Sequence, residues 1–358
     1  MALTAQLSLP TASAARYVDA LCDEFKQLEI EAVRAENGAE IVLRRGLGVA
    51  RLAAMPDRLS IHAEADTEQG INILKFLLGM RLEKVAAAES PDVVWTGYGA
   101  DFEVLPNFRE ITVVRNVEVT PHMRRVTFAG RDMARFCGRE IHVRLLFPPL
   151  GVEPPEWPKP GRNGRPAWPP LERRPAARVY TIRSFDVARN EIDIDFVVHG
   201  DEGIAGPWAM KAGPGETIGI LGPGGGEPDP AAWYFFGGDE TAIPAIARHL
   251  QELPAEARGL VFIEVADAAE EQAMESPEGI EINWLHRNGV AAGRSNLLED
   301  VVRSVAWPED KANCLVWLGA EAAAARAVRA YLRNEVGFAR DNTFVIAYWR
   351  HEDTPEEE

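Results

Sequence analysis

The stretch ARVYTIRSFD, residues 177–186, lies between a Pro-rich run and the alternating segment NEIDIDFVVHG at 190–200. Its β-branched and aromatic residues read as a strand, and successive side chains on a strand point to opposite faces. Arg178, Tyr180 and Ile182 therefore share one face, and Thr181 and Arg183 share the other. Two cations, a ring and a hydroxyl on one strand form a set suited to a large, flat, phosphorylated ligand. Around this strand, REITVVRNVEVT, MRRVTFAG, EIHVRLLFP, EIDIDFVVHG and ETIGILGP also read as strands. Few helical segments intervene, which predicts a small antiparallel barrel over residues 108–225. The barrel is interrupted by PPLGVEPPEWPKPGRNGRPAWPPLERRP, whose prolines and glycines oppose regular structure. A loop of that length inside a barrel is usually functional or a mobile flap.

The rhythm changes over residues 226–350. AWYFFGG, RGLVFIEVAD, IEINWLHR, NCLVWLGA and NTFVIAYWR are apolar strands. DETAIPAIARHLQEL, SNLLEDVVRSVAW (with Ser295 as cap) and EAAAARAVRAYLRNEVG are helices between them. Alternation of this kind implies a mostly parallel sheet with helices on both faces, which binds nucleotides at its C-terminal strand ends. Residues 1–100 read as a small α+β unit. One helix places Tyr17, Leu21, Phe25 and Leu28 on one face with Thr11 or Ser13 as cap. EAVRAENGAEIVLRR and RLSIHAEA supply strands, and a second helix is capped by Thr67. Residues 351–358 form an acidic tail.

Composition narrows the function. A length of 358 residues suits several domains, and 46% hydrophobic with 26% charged residues excludes a disordered chain. The net charge of −17 argues against bulk nucleic-acid binding, which needs a basic face. Cys22, Cys137 and Cys314 are far apart and offer no zinc or iron–sulfur spacing, so no metal site is expected. Scattered thiols fit a reducing cytoplasm. No signal peptide is expected at the N-terminus, and GINILKFLLGM is too short to span a bilayer.

VTPHMRRVTFAG, HVRLLFPP, RPAARVYTIR, IDIDFVVHGDEG, GPWAMKAGPGE, GDETAIPAI, IEVAD, INWLHR and AYWR follow one another in the chain. With these motifs, Phe108 to Arg350 resembles the siderophore-interacting proteins, a family of flavin-dependent ferric-siderophore reductases. The first block resembles a small domain of unknown function sometimes fused to that family. The resemblance implies a ferredoxin-reductase-like arrangement, with FAD on the barrel and NADH or NADPH docking on the α/β domain. The substrate would be a ferric siderophore whose iron leaves as Fe(II), and ferredoxin is an alternative electron donor.

The resemblance also implies site residues. Arg178 would bind the pyrophosphate, Tyr180 would lie against the isoalloxazine, and Thr181 would sit near N5 as the residue closest to the chemistry. Arg183 completes the strand motif. His199 and Gly200 would lie near the adenine or ribose, and the backbone of Ala205, Gly206, Pro207 and Trp208 would wrap the pyrophosphate. The family commonly has Ser where Gly206 stands. Asp239, Glu240, Thr241 and Ala242 would line the nicotinamide junction, with Glu321 near nicotinamide or ribose and Trp349 over the flavin. Arg124, Arg173 and Arg350 would form a basic mouth for an anionic siderophore. Plainer readings stand beside these. His199 can be an ordinary strand-end histidine, Asp239 or Thr241 a helix cap, Glu321 a partner of the helix dipole, and Trp349 a core aromatic. A general flavin reductase and a siderophore-binding protein without robust reductase activity are the alternative functions.

Overall fold

The structure is a computed structural model that describes residues 2–28, 30–43, 46–198, 203–225 and 230–351. It divides into two units, one of residues 1–108 with 149–175, the other of residues 109–148 with 176–358.

In the first unit the chain runs through β1 (Leu3–Pro10), α1 (Ala14–Gln27), β2 (Glu31–Ala35), β3 (Gly38–Leu43), β4 (Gly48–Ala54), β5 (Arg58–Ala65), α2 (Glu68–Val85) and β6 (Trp95–Gly97). The strands form an antiparallel sheet in the order β2-β3-β4-β5-β1-β6. Alternate residues such as Ala5, Leu7 and Leu9 of β1 and Leu59, Ile61 and Ala63 of β5 are buried, as a sheet with one covered face requires. Tyr17, Leu21 and Phe25 of α1 and Ile71, Leu74, Leu78 and Leu82 of α2 join the same core. The helical face expected to end at Leu28 stops one turn earlier, because Leu28 is the exposed C-cap. Thr67 caps α2 by accepting the Gly70 N–H at 3.1 Å, whereas Ser13 caps α1 without a side-chain bond.

The second unit begins with β7 (Phe108–Thr120), β8 (Met123–Gly130) and β9 (His142–Phe147). After an excursion carrying the short strands β10 (Lys159–Pro160) and β11 (Pro166–Ala167), it resumes with β12 (Ala176–Asp186), β13 (Glu191–Val197), α3 (Ala205–Lys211) and β14 (Thr217–Gly224). Six of these strands close into an antiparallel barrel in the order β12-β13-β8-β7-β14-β9. Ile111, Val126, Phe128, Leu145, Ile182, Ile194, Phe196 and Ile220 fill its interior.

The chain then forms β15 (Trp233–Gly238), α4 (Ile243–Glu252), β16 (Arg258–Val265), β17 (Gly279–His286), α5 (Leu297–Ser304), β18 (Cys314–Glu321), α6 (Ala322–Tyr331) and β19 (Thr343–Trp349). The sheet is parallel, in the order β17-β16-β15-β18-β19. Strand order reverses between β15 and β18, and such a reversal opens a crevice at the C-terminal strand ends. Ser295 was expected to cap α5. Asn296 holds that place, but the Ser295 hydroxyl still accepts the N–H of Leu297, the first residue of α5, at 3.4 Å while donating to Glu264 Oε2 at 2.6 Å.

The Pro-rich excursion between β9 and β12 groups with the first unit, not with the barrel whose strands it joins. It is held there, not left as a loose flap. Asn163 Nδ2 and Arg165 Nη1 donate to the two oxygens of Glu83 on α2 at 2.7 and 2.8 Å. The Trp95 N–H donates to the Arg162 carbonyl at 2.9 Å. Gly79 of α2 lets the two backbones touch, since a Cβ there would lie 2.2 Å from the Asn163 carbonyl oxygen. Gly164 has φ +83°, and a Cβ there would lie 2.8 Å from the Lys75 carbonyl oxygen.

Candidate flavin site

β12 alternates as its sequence requires. Ile182 is fully buried in the barrel, and Tyr180 packs against the same core with its ring centroid 4.5 Å from Phe196. Burial raises the Tyr180 phenol well above its ordinary value. Arg178 stays exposed at the entry to the strand, with Nη1 donating to the Ala177 carbonyl at 2.9 Å. Thr181, only 4% exposed, lies near the hydroxyl of Tyr348 on β19. Its register partner on β9 is His142, whose Nε2 lies 2.6 Å from that same Tyr348 hydroxyl. The strand with the cofactor-like donors thus abuts the C-terminal end of the parallel sheet.

Arg183 is a correction. A bulge follows Ile182, and the Arg183 side chain lies against α4, with Nη1 3.3 Å from Gln251 Oε1. It braces the barrel against the α/β domain. Arg248 of α4 makes the same kind of brace, donating to the carbonyls of Ile182 and Gly138.

At α3, Ala205 and Gly206 open the helix, and their N–H groups fall in the first turn, which has no intrahelical acceptors. Trp208 departs from expectation. Its N–H is bonded to the Ile204 carbonyl at 3.1 Å, and its ring stacks in the barrel core 6.1 Å from Phe128. It anchors α3 and has no amide left for a phosphate. Arg124 is likewise engaged. Its Nε donates to Asn116 Oδ1 at 2.9 Å, and Asn116 in turn holds the Ala209 and Ala212 carbonyls at the end of α3. His199 and Gly200 lie outside the described residues.

The crevice edge is built on Asp239, which follows β15. Its Oδ1 accepts from the Thr241 N–H at 3.0 Å and the Thr241 hydroxyl at 2.5 Å, and its Oδ2 accepts from Trp349 Nε1 at 2.7 Å. Asp239 therefore caps the turn Glu240–Ala242 and pins the Trp349 indole at once. The Ala242 N–H is bonded to the Asp239 carbonyl. Burial pushes the Asp239 carboxyl up to about 6, against the lowering effect of its hydrogen bonds. The folded value exceeds the unfolded one, so the stability this group contributes is complete below pH ~4 and is lost as pH rises through its folded value. The amount is roughly 3 kcal/mol. Urea midpoints for Asp239→Asn should lack that acid-side gain, and equal pH slopes for both proteins would contradict it.

Two further expectations change. Glu240 faces inward and pairs with Arg287, its Oε1 2.5 Å from Nη2 and its Oε2 3.0 Å from Nη1, with Glu264 3.4 Å from Nη1. All three are buried, so Glu240 belongs to an internal ion network and not to a nicotinamide surface. Glu321 caps α6, with Oε2 2.5 Å from the Ala323 N–H and Oε1 3.1 Å from the His351 N–H. It is 2% exposed, and the helix-end reading is the one the structure shows. Arg350 is exposed. Arg173 lies in the other unit, where its Nε is 2.5 Å from Glu156 Oε1. The structure adds His142 and Tyr348 to this crevice, neither of them singled out from the sequence. The barrel register that sets His142 opposite Thr181 was the signal that could have found it.

The sequence profile of the siderophore-interacting protein matches residues 231–352, and that of the siderophore-interacting FAD-binding domain matches residues 112–227. The ferric vibriobactin reductase of Vibrio cholerae is 35% identical over 247 residues, covering 68% of this chain and 89% of that protein. The chain belongs to the siderophore-interacting protein family. An NADPH-dependent ferric-chelate reductase of Escherichia coli is 32% identical over 187 residues, 50% of this chain and 71% of its own length. The crystal structure of a siderophore utilization protein from T. fusca superposes with a TM-score of 0.59 at 37% identity, covering 72% of this chain and 98% of that one. Residues 6–96 match an uncharacterized domain conserved in bacteria. As in the family, the barrel is an FAD-binding domain, and FAD is the cofactor. The donor set fits that group: an exposed Arg178, the Tyr180 ring, the Thr181 hydroxyl, and amides at Ala205 and Gly206.

Proposed function

We propose that this chain reduces ferric siderophores with electrons from NADH or NADPH, by way of FAD, and so frees iron as Fe(II). The observation that carries this reading is the meeting of β12 and β19. Thr181, in the strand that would hold the flavin, is the register partner of His142, whose Nε2 lies 2.6 Å from the Tyr348 hydroxyl at the crevice where a nicotinamide would dock. The ferric reductase names of the relatives from V. cholerae and E. coli agree with it. When bound, FAD supplies the exchange between a two-electron hydride donor and one-electron iron. The chain supplies position. Arg178 and the first amides of α3 would hold the pyrophosphate, Tyr180 would support the ring system, and Thr181 would hydrogen-bond at N5. Asp239 and Trp349 would set the nicotinamide edge, with Thr241 locked to Asp239. Exposed Arg350 would draw an anionic chelate against the overall negative field.

The test is an anaerobic absorbance spectrum of the purified protein. Flavin bands should bleach with NADH or NADPH and return on adding a ferric siderophore. Bands that ignore both nucleotides would shift the donor to a ferredoxin. Protein that takes up no FAD would leave a siderophore-binding protein.

Gly206 gives a second handle. A Cβ there would sit 3.4 Å from the Val197 carbonyl oxygen, an ordinary contact, so the Ser common in the family can be accommodated. Gly206→Ser should tighten FAD binding about 5- to 10-fold, the worth of one added hydrogen bond. Flavin-fluorescence titration measures this, and weaker binding would place the hydroxyl away from the phosphates.

A further inference from the structure

NADH and NADPH differ only at the adenosine ribose, where NADPH carries a 2′-phosphate and NADH a hydroxyl. We infer that this chain takes NADH in preference to NADPH, and that Glu271, held by His286 between the ends of β16 and β17, sets the choice. This deepens the reading that a nicotinamide docks at the crevice, and rests on it. Trp349 closes β19, one edge of the parallel sheet, and would set the nicotinamide edge. A dinucleotide lying across the C-terminal strand ends, past the turn after β15, would then bring its adenosine ribose to β16 and β17 at the other edge.

That edge is acidic. The turn after β16 carries Asp267, Glu270 and Glu271. Glu270 is buried and faces the barrel, accepting from the Thr120 hydroxyl at 2.6 Å and the His122 N–H at 3.1 Å. Glu271 is exposed, and its Oε1 lies 2.8 Å from Nε2 of His286, the last residue of β17. A carboxylate only accepts, so His286 donates this bond and holds the acid across both strand ends. The second Glu271 oxygen is left to accept from a ribose hydroxyl. Asp267 is exposed in the same turn, with Oδ1 accepting the Ala269 N–H at 2.8 Å, and adds a second negative charge. The cations that could offset these acids are spent elsewhere. Between residues 266 and 296 the basic side chains besides His286 are Arg287 and Arg294. Arg287 is buried, and its guanidinium donates to both oxygens of Glu240, to Glu264 and to the Val290 carbonyl. Arg294 turns to the opposite edge, its Nη2 3.0 Å from Nδ1 of His351 beyond β19. A 2′-phosphate would meet carboxylates with no guanidinium to hold it, whereas a 2′-hydroxyl would meet an acceptor.

Calorimetric titration of the FAD-loaded protein with ADP-ribose and 2′-phospho-ADP-ribose tests the assignment, since both bind without hydride transfer. The parent protein should favour ADP-ribose about 10²-fold, the scale of a like-charge clash with no compensating cation. Glu271→Gln should narrow that ratio about tenfold, and Glu271→Arg should abolish or reverse it, through tighter binding of the 2′-phospho ligand. His286→Gln still donates to Glu271 and should keep the parent ratio, while His286→Ala should lose part of it. Anaerobic flavin bleaching with NADH and NADPH should follow the same order. A parent protein that binds 2′-phospho-ADP-ribose as tightly as ADP-ribose, or a ratio unchanged in Glu271→Arg, would overturn the assignment alone. Protein that binds neither ligand, and whose FAD ignores both nucleotides, would overturn it together with the nicotinamide reading beneath it.

Discussion

Glu240→Ala is expected to destabilise the α/β domain by about 3–5 kcal/mol, the usual cost of breaking a buried ion pair from one side. Glu240 and Arg287 are 5% and 7% exposed, and the Glu240 carboxylate meets the guanidinium through both oxygens. Glu264 is a weaker second partner, already engaged by Ser295. Removing Glu240 would leave a cation in a dry site with half its compensation. Glu240→Gln keeps an acceptor and the side-chain volume and should cost less. Urea unfolding followed by tryptophan fluorescence decides the matter. If Glu240→Ala unfolds like the parent while NAD(P)H binding weakens, the nicotinamide role first drawn from the sequence is right and the structural one is wrong.

Gly79→Ala should release the Pro-rich insertion. In an ordinary helix interior this change stabilises by about 0.5–1 kcal/mol. Here the added methyl would meet the Asn163 carbonyl oxygen at 2.2 Å, so the sign should reverse. Tryptic cleavage after Arg162 should accelerate at least about tenfold, because local opening controls such cuts. Glu83→Ala removes the acceptor for Asn163 and Arg165 and should act the same way without a clash. Unchanged cleavage in both variants would mean the insertion is not held by α2.

Much of this architecture was legible in the sequence. The barrel strands and the parallel strands carry their own alternation or apolar runs, and the Thr67 and Asp239 caps follow from local chemistry. β1 was missed although Ala5, Leu7 and Leu9 alternate, because its pairing with β5 spans the whole of α1 and three other strands. The Glu240–Arg287 pair joins residues 47 apart, and nothing local announces it. Arg183 looked like a cofactor ligand because a strand motif does not reveal a bulge or the helix packed on it. The pairing of Tyr348 with His142 needed the facing barrel strand, which only the fold supplies.

The docked insertion has a consequence for how the protein is made and recombined. The first unit owns a segment that the ribosome delivers only after β7, β8 and β9, so α2 waits for Asn163 and Arg165 while half a barrel is synthesised. The N-terminal unit is therefore a discontinuous module. A graft of residues 1–108 onto another reductase would carry Glu83 and Gly79 without the segment they seat, and an exchange that transfers the module whole must move both pieces of chain.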